Sequence, residues 1–347
     1  MKKEDEVRAS FAEQSYWCER LGSPFMARLC AVIGARLDRT SAVGRRALVW
    51  PGEPSAAVDA VALRLCGGLH ALVRAGVVPA LAKLYPPAPL PDADTLWAAL
   101  APALGEESLA SWLERPPQTN EVGRSAVLMA GLLALAERFP QPMHLFELGA
   151  SAGLNLRLDA YRYDLGGRQA GDSASALHLA PEWAGPPPPA AEVTIAARRG
   201  VDLHPADPVA DRGRLIAYVW PDQARRLAQI ETALAIAADH PVTIDAGDAA
   251  DWLETMLPLD SLPGVTRVVL HSVAFQYFPT ATQARVTARI ETAGSHADEG
   301  APLAWLRFEK LADDSRPSLR LRTWPGGDEL LAWIQPHGAK IRWLRDC

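Results

Sequence analysis

Met143-His144-Leu145-Phe146-Glu147-Leu148-Gly149-Ala150-Ser151-Ala152-Gly153-Leu154-Asn155 is the stretch from which the rest of the chain is read. Its first six residues are a short apolar run closed by an acid, a pattern that predicts a buried strand. Glycines at 149 and 153 then predict a tight reversal, followed by a helix from about Leu154 to about Ala160. A helix N-terminus at the carboxyl end of a strand presents free N–H groups to a polar or anionic ligand. Doubly wound sheets place their ligands at such ends.

Working outward, further apolar strand candidates stand at 192–197, 242–246, 265–270 and 302–308, with helical patterns at 227–238 and 249–256. Strands alternating with helices predict a parallel sheet with crossover connections. Upstream, a helix is expected from Asn120, a good N-cap residue, to about Phe139. The tail reads as strands at 318–324 and 340–344 around a helix at 329–333, and the proline-containing stretch 166–191 as an insertion. Before about Pro117 the signals are helical, as in the Ala- and Leu-rich segments 55–75 and 93–103. The expected fold class is therefore α/β. A Rossmann-like sheet with helices on both faces occupies 118–347, preceded by an all-helical cap domain over 1–117.

Bulk properties exclude several function classes. The chain has 347 residues, 49% hydrophobic and 22% charged, enough apolar material for a substantial core. Its net charge of −6 is the wrong sign for a large nucleic-acid footprint. Cys18, Cys30, Cys66 and Cys347 form no Cys-x-x-Cys pair, so neither a disulfide scaffold nor a structural zinc site is expected. His337 has no partner at ligand spacing, and no metal is expected. The N-terminus is charged, and the longest apolar run, about 126–136, is too short for a bilayer. A cytoplasmic protein without membrane contact is expected.

The identity of the ligand turns on Ser151. A dinucleotide fingerprint needs a glycine where Ser151 stands, so that the pyrophosphate can approach the backbone. S-adenosylmethionine has no pyrophosphate and tolerates a small side chain there. Acids follow later strands in register with the turn. Asp202, in Gly200-Val201-Asp202-Leu203-His204, is placed to accept ribose hydroxyls, and Asp248, in Ala246-Gly247-Asp248, to accept the adenine amino group. Beyond the fourth strand candidate come His271, Gln276, Tyr277 and Phe278, on the same side of the sheet.

Over about Gln118 to Leu344 these features resemble the class I S-adenosylmethionine-dependent methyltransferase superfamily. The segments Gln118-Thr-Asn-Glu-Val-Gly-Arg124, Phe146-Glu-Leu-Gly-Ala-Ser-Ala-Gly-Leu-Asn-Leu156, Tyr218-Val-Trp-Pro-Asp-Gln223 and Trp324-Pro-Gly-Gly327 are similar to a bacterial domain-of-unknown-function family assigned to it. The resemblance implies a cofactor motif of Glu147, Gly149, Ser151, Gly153 and Asn155, with Asp202 as the ribose acid and Asp248 on the adenine side. Ser151 departs from the commoner glycine, and Asp202 lies unusually far from Gly149, so either the insertion accounts for the distance or another acid is the ribose contact. The activity implied is methyl transfer to a small-molecule acceptor; the alternatives are an S-adenosylmethionine-binding enzyme of another reaction type, or a non-catalytic binding or regulatory module on the same fold.

Several residues admit two roles. His271 either orients the acceptor and takes its proton, with Gln276 and Tyr277 beside it, or is a hydrogen-bonded histidine at a strand end. Arg124 either forks onto the cofactor's carboxylate or forms a surface ion pair. Gln118, Asn120 and Glu121, ahead of the first strand, are candidate substrate contacts, as are Trp220 and Asp222. Asp222 reads equally as a helix N-cap.

Overall fold

A computed structural model describes residues 2–118, 120–260, 262–310 and 316–345. The chain divides into two compact units, Met1–Thr119 with Ala210–Ala228, and Asn120–Val209 with Gln229–Cys347.

The first unit is helical. Its main helices are Lys2–Arg20, Pro24–Arg36, Val61–Arg74 and Ala93–Ala103, joined by Arg212–Ala217 from the later segment. Helix starts follow local chemistry: Pro24 stands in a first turn, where its missing N–H costs nothing. Asp92 caps the Ala93–Ala103 helix by accepting from the amides of Asp94 and Thr95. Gly67 and Gly68 admit close neighbours to the Val61–Arg74 helix. A Cβ at Gly67 would lie 2.7 Å from the Tyr218 ring, and one at Gly68 2.6 Å from Leu109. Phe11, Leu29, Ile33, Leu65, Leu69, Leu100 and Trp220 belong to one continuous apolar core.

The second unit is built on strands β1 (Met143–Leu148), β2 (Arg162–Leu165), β3 (Arg168–Gly171), β4 (His178–Leu179), β5 (Glu182–Ala184), β6 (Ile195–Asp202), β7 (Thr243–Ala246), β8 (Thr266–Ser272), β9 (Leu303–Glu309), β10 (Ser318–Trp324), β11 (Asp328–Ile334) and β12 (Lys340–Trp343). Nine of them form a sheet in the order β5-β12-β11-β10-β9-β8-β1-β6-β7. From β7 to β9 all neighbours are parallel, a Rossmann-like arrangement. β10, β11 and β12 extend it as an antiparallel meander.

Helices cover both faces of the parallel part, which is why β8 is buried at every residue. Leu306 of β9 meets the helix Arg124–Arg138, where a Cβ on Gly131 would lie 2.6 Å from its side chain. Its neighbour Trp305 faces the other way, into a core shared with Val286 and Ile290 of the helix Thr280–Ser295. With Trp252 and Leu253 of the helix Ala249–Met256, these side chains fill that second layer.

Four expectations need correction. Residues 329–333 are not helical: they lie in β11, which pairs antiparallel with β10 across the turn at Gly326-Gly327. The helix expected from Asn120 begins at Arg124, because Asn120 is committed elsewhere, as described below. The strand expected at 192–197 runs instead from Ile195 to Asp202. The helix after Gly153 is a 3-10 segment, Asn155–Ala160. The inserted stretch 166–191 carries short strands: β3 and β4 flank β2 in a small second sheet, and β5 adds to β12 at the edge of the large one.

Candidate functional site

Strand order reverses between β1 and β8, because β6 and β7 lie on one side of β1 and β8 and β9 on the other. Such a switch point opens a crevice at the carboxyl ends of the two strands. The glycine turn after β1 stands there. Three of its residues have left-handed backbones: Gly149 at φ +72°, Ser151 at +52° and Gly153 at +66°. The glycines are sterically required. A Cβ on Gly149 would lie 2.5 Å from the Ala274 Cβ, and one on Gly153 2.8 Å from Ile244.

The turn is fastened at three points. The amides of Gly149 and Ala150 both donate to the Val201 carbonyl, at 2.9 and 3.0 Å. Asp202, the last residue of β6, accepts from the Ser151 amide on one oxygen and from the His204 amide on the other, both at 2.9 Å. Arg157 donates through Nη1 to the carbonyls of Ala152 and Gly153, and through Nε to that of His240. Burial of this guanidinium holds its pKa below the usual value.

Beneath the turn runs a chain of buried polar groups. Ser125 donates its hydroxyl to Asn155 Oδ1 at 2.9 Å. Asn155 Nδ2 donates in turn to Glu147 Oε1 at 3.1 Å and to Ser272 Oγ at 3.3 Å. Glu147 is only 1% exposed. Its Oε2 and the Ser151 hydroxyl have no hydrogen-bond partner among the described residues. Burial pushes the Glu147 carboxyl up to about 8, against the pull of the Asn155 hydrogen bond and with the help of the nearby Asp202 charge. An unpaired buried polar atom costs about 1–3 kcal/mol, so two of them at the ends of one switch-point turn are candidate ligand contacts.

Asn120 and Arg124 join this assembly through the backbone. Asn120 Oδ1 accepts from the Leu154 amide at 3.2 Å, tying the segment before the long helix to the glycine turn. Glu121 is buried and accepts from the Gly123 amide. Arg124 donates to the carbonyls of Ser272 and Pro336, at 3.0 and 3.3 Å. Asp248 follows β7 and caps the helix Ala249–Met256, accepting from Ala250 and Asp251 amides and from the Thr282 hydroxyl. The preceding Gly247 amide donates to the Asp202 carbonyl, so the ends of β6 and β7 are joined.

The residues expected to act on the acceptor are not gathered together. His271 is fully buried; its Nδ1 lies 2.7 Å from Glu309 Oε1 and its Nε2 3.0 Å from Trp305 Nε1. The indole N–H only donates, so Nε2 accepts and the proton sits on Nδ1, shared with the carboxylate. Neither ring nitrogen is left to take a proton from an acceptor. Gln276 and Tyr277 lie on the surface, Tyr277 at 60% exposure.

Gln118, Trp220 and Asp222 belong to the helical unit. Trp220 is part of that unit's core. Asp222 accepts from the Ser23 hydroxyl and, at 2.9 Å, from the Phe25 amide. It is thus a cap, though of the distant helix Pro24–Arg36 and not of the one that follows it in sequence.

Glu309 and Arg157 were not singled out by sequence. Glu309 carried a usable signal, since it closes an apolar strand with an acid as Glu147 does. Arg157 carried none. Among the described residues no group of three or more His, Cys, Asp or Glu side chains is arranged to hold a metal ion, and no helix is long and apolar enough to cross a membrane.

No curated protein sequence matches the chain. The family model DUF2332, described as an uncharacterized protein conserved in bacteria, matches residues 8–343, and the chain belongs to that family.

Proposed function

We propose that the chain is an S-adenosylmethionine-dependent methyltransferase of the class I type, acting on a small-molecule acceptor from the cytoplasm. The observation that carries this reading is the pair of orphaned polar atoms at the switch point, Glu147 Oε2 and Ser151 Oγ. A buried carboxyl held near pKa 8 suits a ligand that brings positive charge or N–H donors, as the aminoacyl end of S-adenosylmethionine does. Ser151 stands where a dinucleotide fingerprint needs a glycine for the pyrophosphate to approach, which argues against a nicotinamide dinucleotide. The order β7-β6-β1-β8-β9 with an antiparallel extension is compatible with a methyltransferase sheet.

In this reading Glu147, Ser151 and Asn155 serve the aminoacyl end, Asp202 the ribose and the Asp248 region the adenine. The cofactor supplies a methyl group already activated by a positive sulfur. The protein's own task is to bind, orient and exclude water, and a general base is not obligatory. The role of His271 is accordingly to hold the loop after β8, and Arg124 braces that loop through the Ser272 carbonyl.

The commitment of both His271 nitrogens favours a second reading, a module that binds S-adenosylmethionine without transferring its methyl group. Isothermal titration of the full chain with S-adenosylmethionine, S-adenosylhomocysteine and NAD tests the common part. Binding of the first two and not of NAD is expected. Methyl transfer in a small-molecule screen then separates enzyme from binder.

A further inference from the structure

We infer that Glu309 is a positioning residue that fixes the turn Val273–Phe275 against Gly149, presetting the wall of the site that faces the methyl group. The orientation toward a methyl group rests on the proposed function; the fixing of the turn does not.

The turn leaves β8 in an unfavourable conformation. Val273 has φ +51°, a region that a β-branched side chain avoids, so the surrounding contacts must hold it there. Its amide donates to the Phe308 carbonyl at 2.8 Å, extending the pairing of β8 with β9 by one residue. Glu309, next in β9, does the rest. Its Oε1 accepts from His271 Nδ1 at 2.7 Å, from the Ala274 amide at 2.9 Å and from the Phe275 amide at 3.0 Å. One buried oxygen thus collects both amides that follow the strained residue, together with the imidazole at the end of β8.

The imidazole is itself immobilised. Trp305 donates to its other nitrogen, and Phe275 stacks on it with centroids 5.0 Å apart and planes 17° from parallel. Phe275 therefore closes the loop onto the histidine that shares its carboxylate. The consequence reaches the glycine turn, because the Ala274 Cβ occupies the space beside Gly149 that any other residue there would need. A leucine would fill the Glu309 site as well as a carboxylate does. What only the carboxylate, or an amide in its place, provides is an acceptor for two turn amides.

The test uses the full chain with Glu309→Leu and Glu309→Gln, followed by hydrogen exchange over residues 272–278 and by titration with S-adenosylmethionine and S-adenosylhomocysteine. In Glu309→Leu the Ala274 and Phe275 amides are expected to exchange at least tenfold faster, while β1 and β9 keep their protection. The ratio of the two affinities is expected to change fivefold or more, because only S-adenosylmethionine carries the methyl group. Glu309→Gln, which keeps an acceptor, restores most of both. Unchanged exchange at 272–278, or an equal loss of protection across β1 and β9, overturns the positioning role. If the wild type binds neither compound, the proposed function fails, and the exchange result still decides whether Glu309 holds the turn. If both bind and their ratio is unmoved in Glu309→Leu, the turn does not face the methyl group, and the inference fails while the cofactor assignment stands.

Discussion

Asp202 accepts a hydrogen bond from the amide of Ser151 at 2.9 Å, so the acid that ends β6 holds the left-handed turn that follows β1. Strand β6 is thereby coupled to the loop that carries the candidate cofactor contacts. The two positions lie far apart in sequence and meet only because β6 pairs in parallel with β1.

Asp202→Ala should weaken S-adenosylhomocysteine binding by tenfold or more with the fold retained. The variant removes a carboxylate and leaves the Ser151 and His204 amides without their acceptor. Calorimetric titration checks the affinity, and circular dichroism the fold.

Gly149→Ala should lower stability by about 1–3 kcal/mol, since alanine is strained at φ +72° and its methyl meets Ala274 at 2.5 Å. Adding Ala274→Gly should recover the steric part and leave the conformational part. Urea unfolding of the single and double variants measures both, and equal stability of the two shows that the Ala274 contact contributes nothing.

The pH dependence follows from Glu147. Its carboxyl is raised in the native state from its ordinary value of 4.5 to about 8, so the folded protein holds a proton that the unfolded chain releases. That contribution to stability is fully present below about pH 4.5 and is lost as pH rises through about 8. Glu147→Gln should flatten the decline over that window, by at most about 1.4 kcal/mol per pH unit. Binding of a cationic ligand should release a proton near neutrality. Titrations in buffers of different ionisation enthalpy report that release, and its disappearance in Glu147→Gln assigns it.

Asp222→Ala should destabilise the protein by about 1 kcal/mol, because the helix Pro24–Arg36 loses its acceptor at the Phe25 amide. Affinity for S-adenosylhomocysteine should be unchanged. A large loss of affinity at constant stability returns Asp222 to a ligand-contacting role.

β1, β8 and β9 were legible as largely apolar runs, and the ends of β1 and β7 by glycine and acid, as at Glu147-Leu148-Gly149 and Ala246-Gly247-Asp248. β6 was misplaced because Arg198-Arg199 interrupts its apolar pattern. β11 was not legible, since Leu330-Leu331-Ala332-Trp333 lacks alternation and its pairing with β10 is set by the rest of the sheet. The strands of two to four residues inside 166–191 are too short for any periodic signal. Asn120 has the chemistry of a helix cap, but its side chain serves Leu154, a partner that only the folded chain supplies. In the site, Glu147 and the glycines could be named because their local sequence states their chemistry. The commitment of His271 to Glu309 and Trp305 joins two strands distant in sequence, and nothing near residue 271 announces it.

The most direct test of the cofactor assignment is a crystal structure of the full chain grown with S-adenosylhomocysteine. Ligand density is expected at the carboxyl ends of β1 and β6, with the amino group within about 3.2 Å of Glu147 or Ser151. Density elsewhere, or a Glu147–Ser151 turn that stays without ligand under saturating conditions, contradicts it.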